Sequence, residues 1–311
     1  MRILIIFINL LFVSNCFSVD LVFSQALTQD VYSSIVPFNY YQSLIILKAK
    51  IGDQEGNFIL DTGANGLVLN SQYFSPTSVS NHTAYGISGE VSKIGKSEVE
   101  EMEMEQLVFH DLEAENIDLT EIENKKNIKI LGLIGYDVIK DYEIMLNYRE
   151  RYVTFSKLDD QGEMILKLPH TQEKIDSFSF TLGNFIPVIE VKIGDESKRM
   201  GIDTGAEYNV LDNKRNRNVL ENFKVINRIN ISGADGKQKQ ALAGILYRLK
   251  LSEKYKCASM ATILTNMNYL NQIYGTNLDG ILGHGFLAPW IFSINYKQKK
   301  IYLHKIYYGR T

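Results

Sequence analysis

The residues Phe58–Ala64 read Phe-Ile-Leu-Asp-Thr-Gly-Ala, and Met200–Ala206 read Met-Gly-Ile-Asp-Thr-Gly-Ala. An apolar residue stands directly before each Asp-Thr-Gly-Ala, and an apolar run follows each copy, at 67–69 and at 210–211. A single Asp-Thr-Gly is ordinary in turns, because Asp caps the turn and Gly supplies a permissive backbone. A second copy with matching flanks indicates that the two stretches share a role.

The segments around the two motifs also match. Lys-Ile-Gly-Asp occurs at 50–53 and again at 192–195, and in each case the Ile lies ten positions before the Asp of the motif. Two further pairs follow downstream in the same order: Leu133–Gly135 with Ile281–Gly283, and Asn147–Arg149 with Asn295–Lys297. Four ordered matches in one chain predict an internal duplication.

These paired motifs resemble those of the aspartic proteases, in which each of two related lobes supplies one Asp-Thr-Gly loop and one Gly segment that packs behind it. The Ala after each Gly is similar to the retropepsin branch of that family. Retropepsins are usually homodimers with one motif per chain, whereas this chain carries both motifs. A monomer is therefore expected.

The resemblance covers roughly residues 36–306. It implies an all-β, bilobal acid-protease fold, with two β-barrel-like lobes related by a pseudo-twofold axis. The expected N-terminal lobe spans 36–160 and the expected C-terminal lobe spans 177–306. The polar stretch 157–177 marks the junction between them.

By this resemblance, Asp61 and Asp203 are the catalytic residues of an aspartic endopeptidase. Hydrolysis of a peptide bond needs a base to activate water and an acid to protonate the departing amine. Two carboxyls about 3 Å apart do not both ionise readily, so they share one proton and fill both roles, as is established for aspartic proteases. The residues implied to support this pair, with the Thr side chains bonding across the lobes, are Thr62, Gly63, Thr204 and Gly205.

The residue after each Asp-Thr-Gly predicts the pH range of activity. Pepsin-like enzymes usually have Ser or Thr there, and a hydroxyl that donates to a carboxylate lowers its pKa. Ala64 and Ala206 have no hydroxyl to donate. We therefore expect a mildly acidic optimum, above that of pepsin.

Two glycine-containing segments are candidates for the flaps that close over the substrate in the resembled family. They lie between strand-like segments, within 81–91 and 231–237. Two ordinary surface hairpins are the alternative. The candidate flap residues are Tyr85, Gly86, Ser88, Gly89, Ser232 and Gly233.

Composition and charge exclude several other classes of protein. The formal net charge of −3 and the pI near 6.0 give no basic surface for nucleic acid. The five His residues show no paired ligand spacing, so we expect no metal site and no cofactor. No nucleophilic Ser or Cys motif is present. The expected partner is a peptide or protein substrate.

The N-terminus predicts export. Arg2 precedes an apolar run at 3–13 that only Asn9 interrupts, as in a secretory signal peptide. We assign 1–18 to this signal, with cleavage between 15 and 26; a membrane helix would need about 20 apolar residues, and a buried strand is the other alternative. The expected location is periplasmic, secreted or lipid-anchored to a membrane, with Cys16 as the candidate lipid-bearing residue. Removal of the signal leaves Cys257 without a disulfide partner.

A catalytically silent peptide-binding module of the same fold is the alternative function. The two halves share their motifs but little else, and the disulfides of pepsin-like enzymes are absent. A silent member of the family often loses one Asp, whereas this chain keeps both. The sequence therefore favours the enzyme.

Overall fold

A computed structural model describes residues 6–8, 19, 21–23, 28–30, 32–79, 84–85, 90–91, 94–167, 172–215, 217–233 and 238–306. Strands dominate these residues, and they form two lobes joined by a shared sheet. The predicted all-β, bilobal fold is confirmed.

The N-terminal lobe contains an eight-stranded sheet that closes on itself. Its ring is completed by the pairing of Lys50 in the second strand with Glu103 in the seventh. In spatial order, the strands are Asn39–Tyr41, Leu44–Ile51, Gln54–Leu60, Gly132–Ile134, Leu67–Asn70, Leu107–Ile117, Gly95–Met104 and Ser78–Val79. The closed barrel consists of six of these strands, from Leu44–Ile51 to Gly95–Met104 with both included.

The C-terminal lobe contains a nine-stranded sheet whose central ring repeats the strand order of the first lobe. Lys192 and Ile193 pair with Lys250 and Leu249 to close it. In spatial order, the strands are Ile6–Ile8, Phe223–Gly233, Gln238–Lys250, Lys256–Thr265, Asn209–Asp212, Gly280–Leu282, Glu196–Ile202, Ile186–Ile193 and Thr181–Gly183. The first of these, Ile6–Ile8, lies within the segment assigned to the export signal and pairs with 231–233.

A seven-stranded sheet, the inter-lobe sheet, takes strands from both halves of the chain. Its centre pairs Tyr142–Asn147 with Ile291–Asn295, so that Ile144 lies opposite Ile294 and Leu146 opposite Phe292. In spatial order, the strands are Lys174–Ser179, Lys300–His304, Ile291–Asn295, Tyr142–Asn147, Tyr152–Lys157, Ser33–Pro37 and Thr28–Asp30.

Helices are short wherever the structure describes them. The α-helices are Thr120–Lys126, Tyr136–Ile139, Asn268–Ile273 and His284–Leu287, and Arg217–Asn222 is a 3-10 helix. A two-stranded hairpin pairs Ala84–Tyr85 with Glu90–Val91. Across the described residues, no helix is both long and apolar enough to cross a membrane.

The strands next to the Asp-Thr-Gly loops contain apolar runs that are buried in the lobes. Leu44–Leu47 are fully buried, because this half of the strand is covered on both faces. Beyond them, Lys48 is exposed while Ala49 is buried, as alternation along a strand with one covered face requires. The two strands that end in the Asp-Thr-Gly motifs finish with buried apolar residues, Phe58–Leu60 and Met200–Ile202, and so anchor both loops in the cores of their lobes.

Candidate active site

The two Asp-Thr-Gly loops meet between the lobes. Asp61 and Asp203 lie 142 positions apart in the chain, yet their carboxyl groups are close enough to hydrogen-bond each other, and each residue is 1% exposed. The backbone N–H of Asp61 donates to the Ile134 carbonyl at 2.9 Å, and that of Asp203 donates to the Leu282 carbonyl at 3.1 Å. The apolar Gly segments singled out in the sequence therefore lie directly behind both carboxyls.

Glycine is required on both loops because the opposite carboxyl occupies the space of a side chain. A Cβ atom on Gly63 would lie 2.6 Å from the Cγ of Asp203, and one on Gly205 would lie 2.5 Å from the Cγ of Asp61. Each Gly N–H donates to Oδ1 of the Asp in its own loop at 2.8 Å. The glycines thus allow the carboxyls to approach and also orient them.

Thr62 and Thr204 bind the loops to each other through a reciprocal set of hydrogen bonds. Each backbone N–H donates to the hydroxyl of the other Thr at 3.0 Å. The Thr62 hydroxyl donates to the Ile202 carbonyl at 3.0 Å, and the Thr204 hydroxyl donates to the Leu60 carbonyl at 2.8 Å. All four bonds cross between lobes, so they fix the separation of the two carboxyls.

Burial makes both carboxyls harder to ionise than ordinary Asp. Desolvation, and then the charge of Asp203, raise the pKa of Asp61 well above its usual range. Desolvation also raises the pKa of Asp203, to about 6. Across the described residues, Oδ2 of Asp61 and Oδ2 of Asp203 have no other hydrogen-bond donor. The pair can therefore hold a shared proton and still present acceptor atoms to a ligand.

Three tyrosines that the sequence analysis did not assign to the site lie near the pair. Tyr274 is fully buried and donates its hydroxyl to the Gly63 carbonyl at 3.3 Å. Burial raises the pKa of Tyr296, and the nearby charges of both Asp residues raise it further; Tyr148 lies near Asp203. Tyr148 and Tyr296 belong to the repeated Asn-Tyr pairs, which was the signal that could have assigned them.

Two further contacts join the lobes beside the site. Lys126, at the end of the helix Thr120–Lys126, forms a buried ion pair with Glu207 at 2.8 Å, and Glu207 directly follows the second motif. The Tyr40 hydroxyl and His284 Nε2 lie 2.6 Å apart, and the two rings stack. Sequence reasoning missed both contacts.

The candidate flaps are only partly described. Tyr85 lies in the strand Ala84–Tyr85, which runs beside the C-terminal-lobe helix Asn268–Ile273, whereas Gly86, Ser88 and Gly89 lie outside the described residues. Ser232 and Gly233 end the strand Phe223–Gly233, which pairs with Gln238–Lys250 in a hairpin. Cys16 also lies outside the described residues.

Within the described part of the chain, no group of three or more His, Cys, Asp or Glu side chains is arranged to hold a metal ion. The carboxyl pair is the titratable centre at which the two lobes meet.

Comparison with known families agrees with this geometry. Residues 47–138 match the family model described as aspartyl protease. The matched segment contains Asp61–Gly63 and the Gly segment at 133–135, and it ends before the motif of Asp203. No curated protein matches the chain. The match supports an aspartic protease family and, more generally, a protease of the hydrolase class.

Proposed function

We propose that this protein is an aspartic endopeptidase whose catalytic pair is Asp61 and Asp203. The observation that carries the proposal is the meeting of two buried carboxyls whose Oδ2 atoms receive no hydrogen bond from other described residues. In a structural ion pair or a hydrogen-bonded core network, these oxygens would be satisfied by protein donors. Here the loops orient both carboxyls and leave one oxygen of each for water and substrate.

The mechanism follows from one proton on two carboxyls. The ionised carboxyl takes a proton from a water molecule as the water oxygen attacks the peptide carbonyl carbon. The protonated carboxyl gives its proton to the carbonyl oxygen, and a tetrahedral diol forms. The carbon–nitrogen bond then breaks as the nitrogen receives a proton from the pair and one diol hydroxyl returns a proton to it. The pair acts as one unit, so neither residue is assigned a fixed role.

We propose that the substrate is an extended peptide held between the lobes. The peptide would be bound through backbone hydrogen bonds of the kind made by an added strand, because the strands Gln54–Leu60 and Glu196–Ile202 lead directly into the two Asp-Thr-Gly loops. The candidate flap residues Tyr85, Gly86, Ser88, Gly89, Ser232 and Gly233 would close over the peptide. A single chain supplies both halves of the site, as in a monomeric enzyme.

We further propose that the protein is exported by the signal at 1–18. The apolar run at 3–13 supports this location. Cell fractionation with N-terminal sequencing of the mature protein tests the proposal. A new N-terminus between 15 and 26 is expected, and a lipid on Cys16 would identify the anchored form. A mature protein that retains Met1 inside the cell would contradict export.

Cleavage of a mixed peptide pool between about pH 3 and pH 8 tests the enzymatic function. Products are expected from the wild type, and a statine-type inhibitor should block them. Asp61→Asn and Asp203→Asn provide the inactive controls. A folded wild type that binds peptides from the pool without cutting them would instead identify a silent binding module.

A further inference from the structure

The inter-lobe sheet has a polar face that is nevertheless buried. Along the strand Tyr152–Lys157, Val153 and Phe155 face the hydrophobic core, while Thr154 and Ser156 point to the other side. Thr154 is only 2% exposed and Ser156 only 1%. A polar strand face is ordinarily left to solvent, so another part of the chain must cover this one.

The cover is the lobe junction. Asn295, on the polar face, donates from Nδ2 to the Gly162 carbonyl at 2.8 Å. Gln298 donates from Nε2 to Glu163 at 2.8 Å. The polar stretch that separates the lobes in sequence therefore folds back against the inter-lobe sheet.

A cavity of about 300 Å³ lies between the junction and the sheet. Neither residue of the carboxyl pair lines it, so it is separate from the candidate active site. Its lining includes Met145, Thr154, Met164, Lys167, Gln172 and Lys174.

Most charged groups inside this cavity are already paired. Glu143 binds Lys174 at 2.8 Å and accepts hydrogen bonds from Ser293 at 2.7 Å and Asn295 at 3.0 Å. His304 contacts the Gln172 carbonyl and the Ser293 hydroxyl, each at 2.9 Å. These groups form the wall of the cavity and are not free to hold a ligand.

Two buried polar atoms of the wall are not satisfied. Thr154 Oγ1 and Gln172 Oε1 have no hydrogen-bond partner among the described residues. Buried polar groups in proteins almost always have a hydrogen-bond partner, so we expect a partner for each of these two atoms. The Thr hydroxyl can donate, and the Gln oxygen can only accept. A ligand that carries both an acceptor and a donor would satisfy both atoms.

The rest of the lining narrows the class of ligand. Lys167 and Glu163 place opposite charges on exposed parts of the lining, and within the described residues Lys167 makes no ion pair. Met145 and Met164 supply apolar surface. A volume of about 300 Å³ is at the lower end for ligand pockets, which suits one amino acid or a dipeptide but not a long peptide.

We propose that this cavity is a second binding site, for a small zwitterion of the amino-acid class. The ligand carboxylate accepts from the Thr154 hydroxyl and the Lys167 ammonium. The ligand ammonium donates to Gln172 Oε1 and faces Glu163. An apolar side chain lies against Met145 and Met164. The site does not depend on the proposed proteolytic activity, since no residue of the carboxyl pair contributes to it.

Titration calorimetry on the full chain with three probes tests this site. L-Methionine carries both charges, methionine amide lacks the carboxylate, and N-acetylmethionine lacks the ammonium. We expect L-methionine to bind and each analogue to bind at least about tenfold more weakly. No binding of L-methionine at about 10 mM, or equal binding of all three probes, would overturn the proposal.

Matched variants locate the binding. Thr154→Val removes the unsatisfied hydroxyl and keeps the shape of the side chain, so the fold should be retained while methionine affinity falls at least about tenfold. Thr265→Val is the control, because Thr265 is also 2% exposed with an unsatisfied hydroxyl but does not line the cavity. Lys167→Gln, on the surface, should reduce the affinity for L-methionine and leave the affinity for methionine amide unchanged. Equal effects of Thr154→Val and Thr265→Val would contradict the assignment.

Discussion

A Cβ atom added to Gly63 would lie 2.6 Å from the Cγ of Asp203, a residue of the other lobe. The absence of a side chain on one loop is therefore what allows the carboxyl of the other loop to reach its position. The same relationship holds in reverse between Gly205 and Asp61.

Gly63→Ala should consequently move the Asp203 carboxyl and reduce kcat/KM at least about 100-fold, since displacements of about 1 Å at a catalytic group have effects of this size. Steady-state kinetics on a cleaved peptide gives the value. Gly66→Ala is the control in the same loop, because its Cβ would meet Asp137 at an ordinary 3.4 Å. If Gly63→Ala and Gly66→Ala had equal activity, the close approach of the two loops would not matter for function.

Thr62→Val should destabilise the protein by about 2–4 kcal/mol, because it leaves the Thr204 N–H and the Ile202 carbonyl buried without their hydrogen bonds. Thr62→Ser keeps the hydroxyl and should lose much less. Chemical denaturation measures the free energy of unfolding of both variants. Equal stability of the Val and Ser variants would show that the hydrogen bonds between the loops contribute nothing.

The carboxyl pair also predicts how stability depends on pH. Burial raises the folded-state pKa of Asp203 from the ordinary 3.8 to about 6 and that of Asp61 well above its usual range. Between the unfolded-state and folded-state pKa values, the folded state therefore holds more protons than the unfolded state. The pair's contribution to stability is thus complete below about pH 4 and is lost as the pH rises through the folded pKa values.

Denaturation at several pH values between about 4 and 8 measures this contribution. The double variant Asp61→Asn, Asp203→Asn removes both titrating groups, so its free energy of unfolding should decrease less as the pH rises. If the double variant lost as much stability with rising pH as the wild type, the loss would come from other titratable groups.

Ala206→Ser should shift the acidic limit of activity to lower pH. A Ser hydroxyl that donates to the ionised pair favours the charged form and lowers its pKa. The kcat/KM of the wild type should decrease at the acidic end of the profile, where the second carboxyl becomes protonated. The kcat/KM of the variant should decrease only at a lower pH. A wild-type profile that still rises below about pH 3, where unperturbed Asp carboxyls protonate, would refute the mildly acidic optimum.

The sequence predicts the carboxyl pair and its support because that information is local and repeated. An apolar strand, Asp-Thr-Gly-Ala and a distant apolar Gly segment occur twice in the sequence. In the structure, each Gly segment lies behind the Asp of its own half. The all-β class follows in the same way from strands such as Leu44–Ile51, whose burial changes where its alternation begins.

Two contacts between the lobes, Lys126 with Glu207 and Tyr40 with His284, were not predictable. Lys126 and Glu207 are 81 positions apart, and nothing in their spacing distinguishes a buried pair from two surface charges. The polar face of the inter-lobe sheet was missed for a related reason. Alternation along Tyr152–Lys157 indicates which residues share a face, but it does not indicate that the lobe junction covers that face.

The most direct test of the shared carboxyl pair compares kcat/KM for Asp61→Asn, Asp203→Asn and the double variant on one peptide substrate. Residues that act as one unit have strongly non-additive effects, so each single variant should lose at least about 1,000-fold and the double variant should lose no more than either one. Single variants that retain about a tenth of the activity, or losses that multiply in the double variant, would contradict catalysis by a pair that shares one proton.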